Sequence, residues 1–226
     1  MYDTRGMAGT PEPLIILDGD LGSLVALSCA SDEAVSIGSG RSSGPCAAVW
    51  VPSIFGDTHR DRSAACDRQA ALFNARKLNS NDHVEGLRQI GDGPYETPML
   101  FASIHQARTN GSDRVIWPEH PGRTADETAI DLERAASIID RALLVEQLGA
   151  LDRPAGSPRI VIETPHADLS DRQLAELAAD LSVPVKTLWW WGGQSDAAQR
   201  HRDRWLGLFR ETGLWRHAET TGTVRA

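Results

Sequence analysis

Two aspartates, two glycines and a serine fall within the six residues Asp18-Gly19-Asp20-Leu21-Gly22-Ser23, between two short apolar runs. An apolar run, a tight polar turn and a second apolar run read as strand, phosphate-sized loop and helix. Such a turn sets free backbone N–H groups and the positive end of a helix where an anion can sit. The carboxylates of Asp18 and Asp20 have the wrong sign for that anion, although a divalent cation held by them would reverse the sign.

Other residues could also do chemistry. Phe55-Gly56-Asp57-Thr58-His59 follows a second apolar run. His59 reads equally as a phosphate or acid–base contact and as a solvated loop histidine. Glu119, His120 and Arg123 follow a third run and could form a polar site, although loops of this composition more often simply face water. His166, after Thr164-Pro165, reads as a helix-start or surface residue rather than a catalytic one. Trp189-Trp190-Trp191 could stack a base, but adjacent aromatics at a strand end are more often two core residues and one exposed face. The alternating signs of Arg200-His201-Arg202-Asp203-Arg204 read as a solvated helix face. Cys29, Cys46 and Cys66 are widely spaced with no Cys-x-x-Cys pair, which supports neither a disulfide framework nor a cysteine zinc site.

The elements that must position these groups alternate. Strands are expected at residues 14–17, 46–51, 114–117 and 159–163, and helices at 21–27 and beyond, 60–78, 99–107 and 126–148. The helix over 60–78 would turn Ala65, Leu72, Ala75 and Leu78 inward, and Asn79-Ser-Asn-Asp82 would stop it. The amphipathic stretch 126–148, one long helix or two abutting ones, would use Ile130, Leu132, Ile138, Leu143 and Leu144. Ser170 followed by Gln173 is a capping-box pattern, with Leu174, Leu177 and Leu181 on one face and Val183-Pro184 as the stop. Residues 1–12 read as a flexible N-terminal arm, the Ser- and Gly-rich stretch 36–45 as a mobile loop, and residues 13–226 as a single domain. The predicted fold class is α/β: a three-layer, mainly parallel, Rossmann-like sheet with a helical C-terminal part and its ligand site at the strand carboxyl ends.

The chain has 226 residues, 41% of them hydrophobic and 24% charged, which suits a globular domain with a substantial core. A formal charge of −8 argues against sequence-blind binding of nucleic acid or an anionic membrane. No apolar run approaches the length of a membrane span and the start lacks a signal pattern, so the cytoplasm is the expected compartment.

The sequence as a whole is similar to a known family. Asp18-Gly-Asp-Leu-Gly-Ser-Leu-Val-Ala-Leu27 resembles, without gaps, the Ser-Gly-Gly-Leu-Asp-Ser-Thr-Val-Ala-Leu signature of the PP-loop ATP pyrophosphatases. Further matches follow the order found in one branch, the 7-cyano-7-deazaguanine synthases of queuosine biosynthesis. Phe55-Gly56-Asp57-Thr58-His59 looks like that branch's Tyr-Gly-Gln-Arg-His. Leu100-Phe-Ala-Ser103 with Gly111-Ser-Asp-Arg-Val-Ile116 is similar to its Leu-Ser-Leu-Ala and Gly-Ala-Asp-Ala-Val-Ile. Glu163-Thr-Pro165 through Ser170 resembles its Thr-Pro-Leu-Ile-Asp-Leu-Ser helix start.

The resemblance implies a nucleotide-binding protein that uses ATP and magnesium, adenylates a carboxylate such as carboxy-deazaguanine, and then lets an amine displace AMP. It implies a nucleotide contact for Asp18, Gly19, Asp20, Gly22, Ser23, Gly56 and His59. A homodimer is a further expectation, since paired subunits are common in the family; direct nucleic-acid and membrane partners are not expected. The departures are as informative as the matches. The first loop serine is Asp18 and the second glycine Asp20, and a unit charge about 4 Å from a like charge at an effective dielectric near 20 costs about 4 kcal/mol. The loop aspartate is Gly22, the aspartate before the Tyr-Gly pair is Ile54, and an arginine is replaced near Glu96. A glycine after the third strand is Trp117, expected to fill part of an adenine pocket. The cysteine cluster of the C-terminal zinc site is missing, and His201 alone cannot replace it, so no zinc is expected. Two readings follow: a non-catalytic nucleotide- or partner-binding module with a degenerate site, or a diverged ligase that still adenylates an acid.

Overall fold

The computed structural model describes residues 11–37, 45–52, 56–78, 95–122 and 130–215. Residues 1–10 of the expected arm, residues 38–44 of the Ser/Gly stretch, Ile54, Asn79 to Asp82 and Arg123 lie outside them. A five-stranded parallel sheet forms from β1 (Leu14–Ile16), β2 (Ala48–Trp50), β3 (Arg76–Lys77), β4 (Arg114–Ile116) and β5 (Val161–Glu163), in the order β3-β2-β1-β4-β5. The helices are α1 (Leu21–Ile37), α2 (His59–Leu72), α3 (Glu96–Asn110), α4 (Leu132–Leu151), α5 (Asp171–Asp180) and α6 (Asp196–Glu211).

Side chains alternate across the strands, and that alternation builds three layers. Leu14, Ile16, Ala48, Trp50, Val115 and Ile162 pack beneath α3 and α4 with Leu100, Ile104, Ile138 and Val145. Ile15, Leu17, Val49 and Ile116 face the other way, against Leu27 and Ala30 of α1 and Cys66 and Ala70 of α2. Residues 21–28 of α1 are buried all round because they are sandwiched: Leu21, Leu24 and Val25 meet a third cluster with α5, α6 and the tryptophan turn. The expected α/β class is the observed one.

The expected helix over 60–78 is two elements. α2 stops at Leu72, Asn74 takes φ +51°, and the chain returns as β3 beside β2. Leu72 is therefore exposed, while Ala65 and Leu78 are buried. Of the next expected helical stretch, 126–148, residues 126–129 lie outside the described residues, and α4 runs from Leu132 to Leu151. Asp131 caps it by accepting the Arg134 N–H at 2.9 Å. Of its expected inward residues Ile138 is buried, whereas Leu132, Leu143 and Leu144 are exposed. The capping box before α5 forms as read, with Ser170 and Gln173 each satisfying the other's backbone N–H. Only Leu174 of its three leucines is fully buried; Ala175 and Ala178 complete the buried face.

β5 is an outer strand. Its neighbours' amides bond toward β4, leaving the Ile162 N–H pointing outward, where it donates to Glu146 Oε2 at 3.2 Å. The other oxygen of Glu146 accepts from Arg159 Nη2 at 2.5 Å. Among the described residues no helix is long and apolar enough to cross a membrane.

Candidate functional site

In a doubly wound sheet the chain reverses direction between the two strands from which it winds outward, here β1 and β4, and ligands bind at their carboxyl ends. A cavity of about 310 Å³ opens there. Its wall takes Asp18, Asp20 and Ser23 from the turn after β1, Glu119 and His120 from the segment after β4, Arg62 from α2, and His201 and Arg204 from α6.

The turn after β1 has the geometry of an anion cradle. Gly19 takes φ +79°, and a Cβ there would lie 3.1 Å from the Ala65 Cβ. Asp20 holds the N-cap position of α1, its carbonyl accepting the Leu24 N–H at 3.1 Å. Three donors of the cradle, the Asp20 and Leu21 N–H groups and the Ser23 hydroxyl, are engaged by the turn's own carboxylates. Asp18 Oδ1 accepts the Asp20 N–H at 2.9 Å, and the Ser23 hydroxyl hydrogen is shared between Asp18 Oδ1 at 2.8 Å and the Asp20 carbonyl at 2.9 Å. Asp20 Oδ1 accepts the Leu21 N–H and the Trp190 indole N–H, both at 2.9 Å, and Oδ2 lies 3.4 Å from Trp189 Nε1 and 3.3 Å from His201 Nδ1. Burial works against the Asp20 charge, yet His201, Arg62 and these N–H groups outweigh it and hold the carboxyl below its ordinary range.

Arg62 completes the enclosure. Its Nη1 donates to the Asp18 carbonyl at 3.0 Å and faces Asp18 Oδ2 at 3.4 Å, and its guanidinium lies 4.4 Å from the centre of the Trp189 ring. The buried amide of Gln69 donates to the Gly19 and Thr187 carbonyls at 3.2 and 3.4 Å, joining the loop to the segment that leads into the tryptophans. Those tryptophans follow a short 3₁₀ turn, Val185–Thr187, rather than a strand. Trp189 and Trp190 are buried and Trp191 is half-buried, as the core reading expected.

The opposite wall is an ion-pair cluster. Arg204 grips the buried Asp171 with two bonds, Nε at 2.8 Å and Nη2 at 2.5 Å, and His120 Nε2 lies 3.3 Å from the same carboxylate. The Gly122 N–H donates to His120 Nδ1 at 3.3 Å, which requires an imidazole with its proton on Nε2. Burial lowers the pKa of both His120 and His201. Desolvation, with repulsion from Asp18 and Glu96, pushes Glu119 up to about 7, even though Arg134 donates to it at 2.9 Å. Arg134 also pairs with Glu96, which Arg141 contacts at 3.2 Å.

A second cavity of about 180 Å³ adjoins the first through Asp18, Pro118 and Glu119. Trp117, only 2% exposed, stands in its wall with Met99 and Ile16, so the large side chain occupies space at the strand end as expected.

The sequence-derived site residues separate into two groups. Asp18, Asp20, Gly22 and Ser23 line the larger cavity and Gly19 shapes its floor. Gly56 and His59 lie exposed at the start of α2 and in neither cavity wall. Glu119 and His120 face the cavity rather than open water. The reading of residues 200–204 as a solvated face holds for Arg200 and Asp203, which are exposed, and fails for the rest: His201 and Arg204 line the cavity, and Arg202 Nη2 donates to the Trp190, Trp191 and Gly193 carbonyls at 3.0, 3.3 and 2.6 Å. Charge alternation misled because α6 packs its charged side across the tryptophan turn. His166 is buried, not at the surface. Its Nε2 meets the Gly22 carbonyl at 3.2 Å, and burial lowers its pKa to about 4. Arg62 and Asp171, which carry much of the electrostatics, had no motif to mark them.

The residues present fit ATP with magnesium poorly. The Asp20 and Leu21 N–H groups and the Ser23 hydroxyl are engaged internally, and the Asp20 carboxylate lies at the α1 start where a phosphate would lie.

A solved structure with a similar fold is the U34-tRNA thiolase NcsA from Methanococcus maripaludis with its [4Fe-4S] cluster. It aligns at a TM-score of 0.48 and 12% identity, over 98% of this chain and 77% of that one. No protein-family model and no curated protein matches the sequence.

Proposed function

We propose that this chain is a diverged relative of the 7-cyano-7-deazaguanine synthases in which adenylation has been lost and the strand-end cavity binds a nucleotide-type small molecule or partner group without turning it over. The observation that carries this reading is the Asp20 carboxylate, which accepts the α1 N–H and two indole N–H groups where a phosphate would need donors. A triphosphate would have to displace it or lie against it, and repulsion of about 4 kcal/mol offsets several good hydrogen bonds. The family part of this reading rests on the sequence resemblance. Calorimetric titration with ATP and magnesium is expected to give no binding heat. Micromolar binding, with pyrophosphate release when carboxy-deazaguanine is added, would overturn the reading.

A second reading, an active ligase, is favoured by one observation. Asp18 Oδ2 takes no part in the loop's internal bonds and shares the cavity wall with Glu119, so carboxylate oxygen for a magnesium ion is present. The same titration separates the two.

A further inference from the structure

The smaller cavity at the strand ends, about 180 Å³, has walls of two kinds. Ile16 from β1, Met99 from α3 and Trp117 after β4 make an apolar side, whereas Asp18, Glu96 and Glu119 bring three carboxylates. Among the described residues no lysine, arginine or histidine lines it. Asp18 and Glu119 also stand in the wall of the larger cavity, so the charged side of the smaller one is the side toward its neighbour.

The carboxylates are held from behind. Arg134 donates to Glu96 Oε2 at 3.1 Å and to Glu119 Oε1 at 2.9 Å, Arg141 Nη1 lies 3.2 Å from Glu96 Oε2, and Arg62 Nη1 lies 3.4 Å from Asp18 Oδ2. These arginines fix the acids in place without entering the wall, and the charges that face the cavity are negative. Even beside Arg134, Glu119 is driven up by burial and by repulsion from Asp18 and Glu96. A proton relieves that crowding in part, and a cation in the cavity would relieve it in the same way.

Charge, donor chemistry and size narrow the occupant. A phosphate or carboxylate would face Asp18 and Glu119 and be repelled. A bare metal ion is not suited: among the described residues no group of histidine, cysteine, aspartate or glutamate is arranged to hold one, and the apolar side offers no oxygen. A dry apolar cavity of about 150 Å³ accepts benzene, so this one has room for one six-membered ring and a short arm. An ammonium group on that arm has N–H donors for the carboxylates, and an aromatic wall such as Trp117 attracts a cation as well as apolar carbon.

We propose that the smaller cavity is a binding site for a protonated primary amine with a single-ring apolar body, its ammonium bonded to Asp18 and Glu119 and its ring against Met99 and Trp117. The site does not depend on the nucleotide reading, whose test addresses the larger cavity, so either can fail alone.

The probe is benzylamine, titrated calorimetrically above pH 7, where Glu119 is ionised. Saturable binding of one molecule per chain is expected, with benzyl alcohol, neutral and of the same size, about tenfold weaker and benzoate silent. Glu119→Gln should weaken benzylamine by about tenfold and leave benzyl alcohol unchanged. Met99 lines the smaller cavity and not the larger. Met99→Ala, or Met99→Val if the alanine variant does not fold, should therefore admit the two-ring naphthylmethylamine that wild type rejects. Absence of saturable benzylamine binding overturns the proposal, as does equal affinity for the amine and the alcohol. Binding that Glu119→Gln leaves unchanged, or an amine size limit that the Met99 variant does not move, overturns it too.

Discussion

The indole N–H of Trp190 donates to Asp20 Oδ1 at 2.9 Å across 170 positions of sequence. It joins the turn after the first strand to the C-terminal part of the described chain, and Trp189 N–H bonding the Gly19 carbonyl at 3.1 Å doubles the link. Asp20 is therefore a structural acceptor as well as the group that occupies the cradle.

Replacing Asp20 by Ala should destabilise the fold by about 1–3 kcal/mol, because buried N–H groups of Leu21 and Trp190 lose their acceptor. The pH dependence has a definite sign. A carboxyl held below its unfolded value contributes stability that is present above about pH 4 and is lost as pH falls through the folded value. Urea unfolding at neutral and acid pH should show wild type losing more stability in acid than Asp20→Ala; equal losses would remove Asp20 from the account.

Glu119 titrates in the opposite sense. Its folded value, near 7, lies above the ordinary carboxyl value of 4.5, so its contribution is full below about pH 4.5 and declines as pH rises to 7. Glu119→Gln should flatten that part of a plot of melting temperature against pH. An unaltered slope would place the titration elsewhere.

Two glycines separate close packing from free space. A Cβ on Gly22 would sit 2.5 Å from the Pro118 carbonyl oxygen, a backbone atom that cannot rotate away. Gly22→Ala should cost about 1–3 kcal/mol through overpacking. On α6 a Cβ at Gly207 meets nothing, and Gly207→Ala should stabilise by about 0.5–1 kcal/mol through helix propensity. Thermal melts of the two variants should move in opposite directions.

What could be read from the sequence follows from where the physical signal is local. The capping box at Ser170 and Gln173 is a four-residue device and is legible without tertiary context. β1 and β2 announce themselves because both faces of a central parallel strand are buried, and β4 and the outer β5 because their short β-branched runs follow turn residues. β3 does not: Arg76 and Lys77 are exposed edge residues continuing from a helix, and only pairing with Ala48 and Val49 makes them a strand. The site divides in the same way. Asp18 to Ser23 are contiguous and could be read as a loop, whereas Arg62, Asp171, His201 and Arg204 converge from three helices. Arg204 looked solvated because the carboxylate that binds it lies 33 positions away.

Glu146 has a consequence for how these molecules can associate. A marginal strand with an open amide is a template onto which another chain's strand can add, and such addition has no natural stopping point. With the Ile162 amide held by Glu146 of its own helix, that margin offers a neighbour's strand no donor at this position.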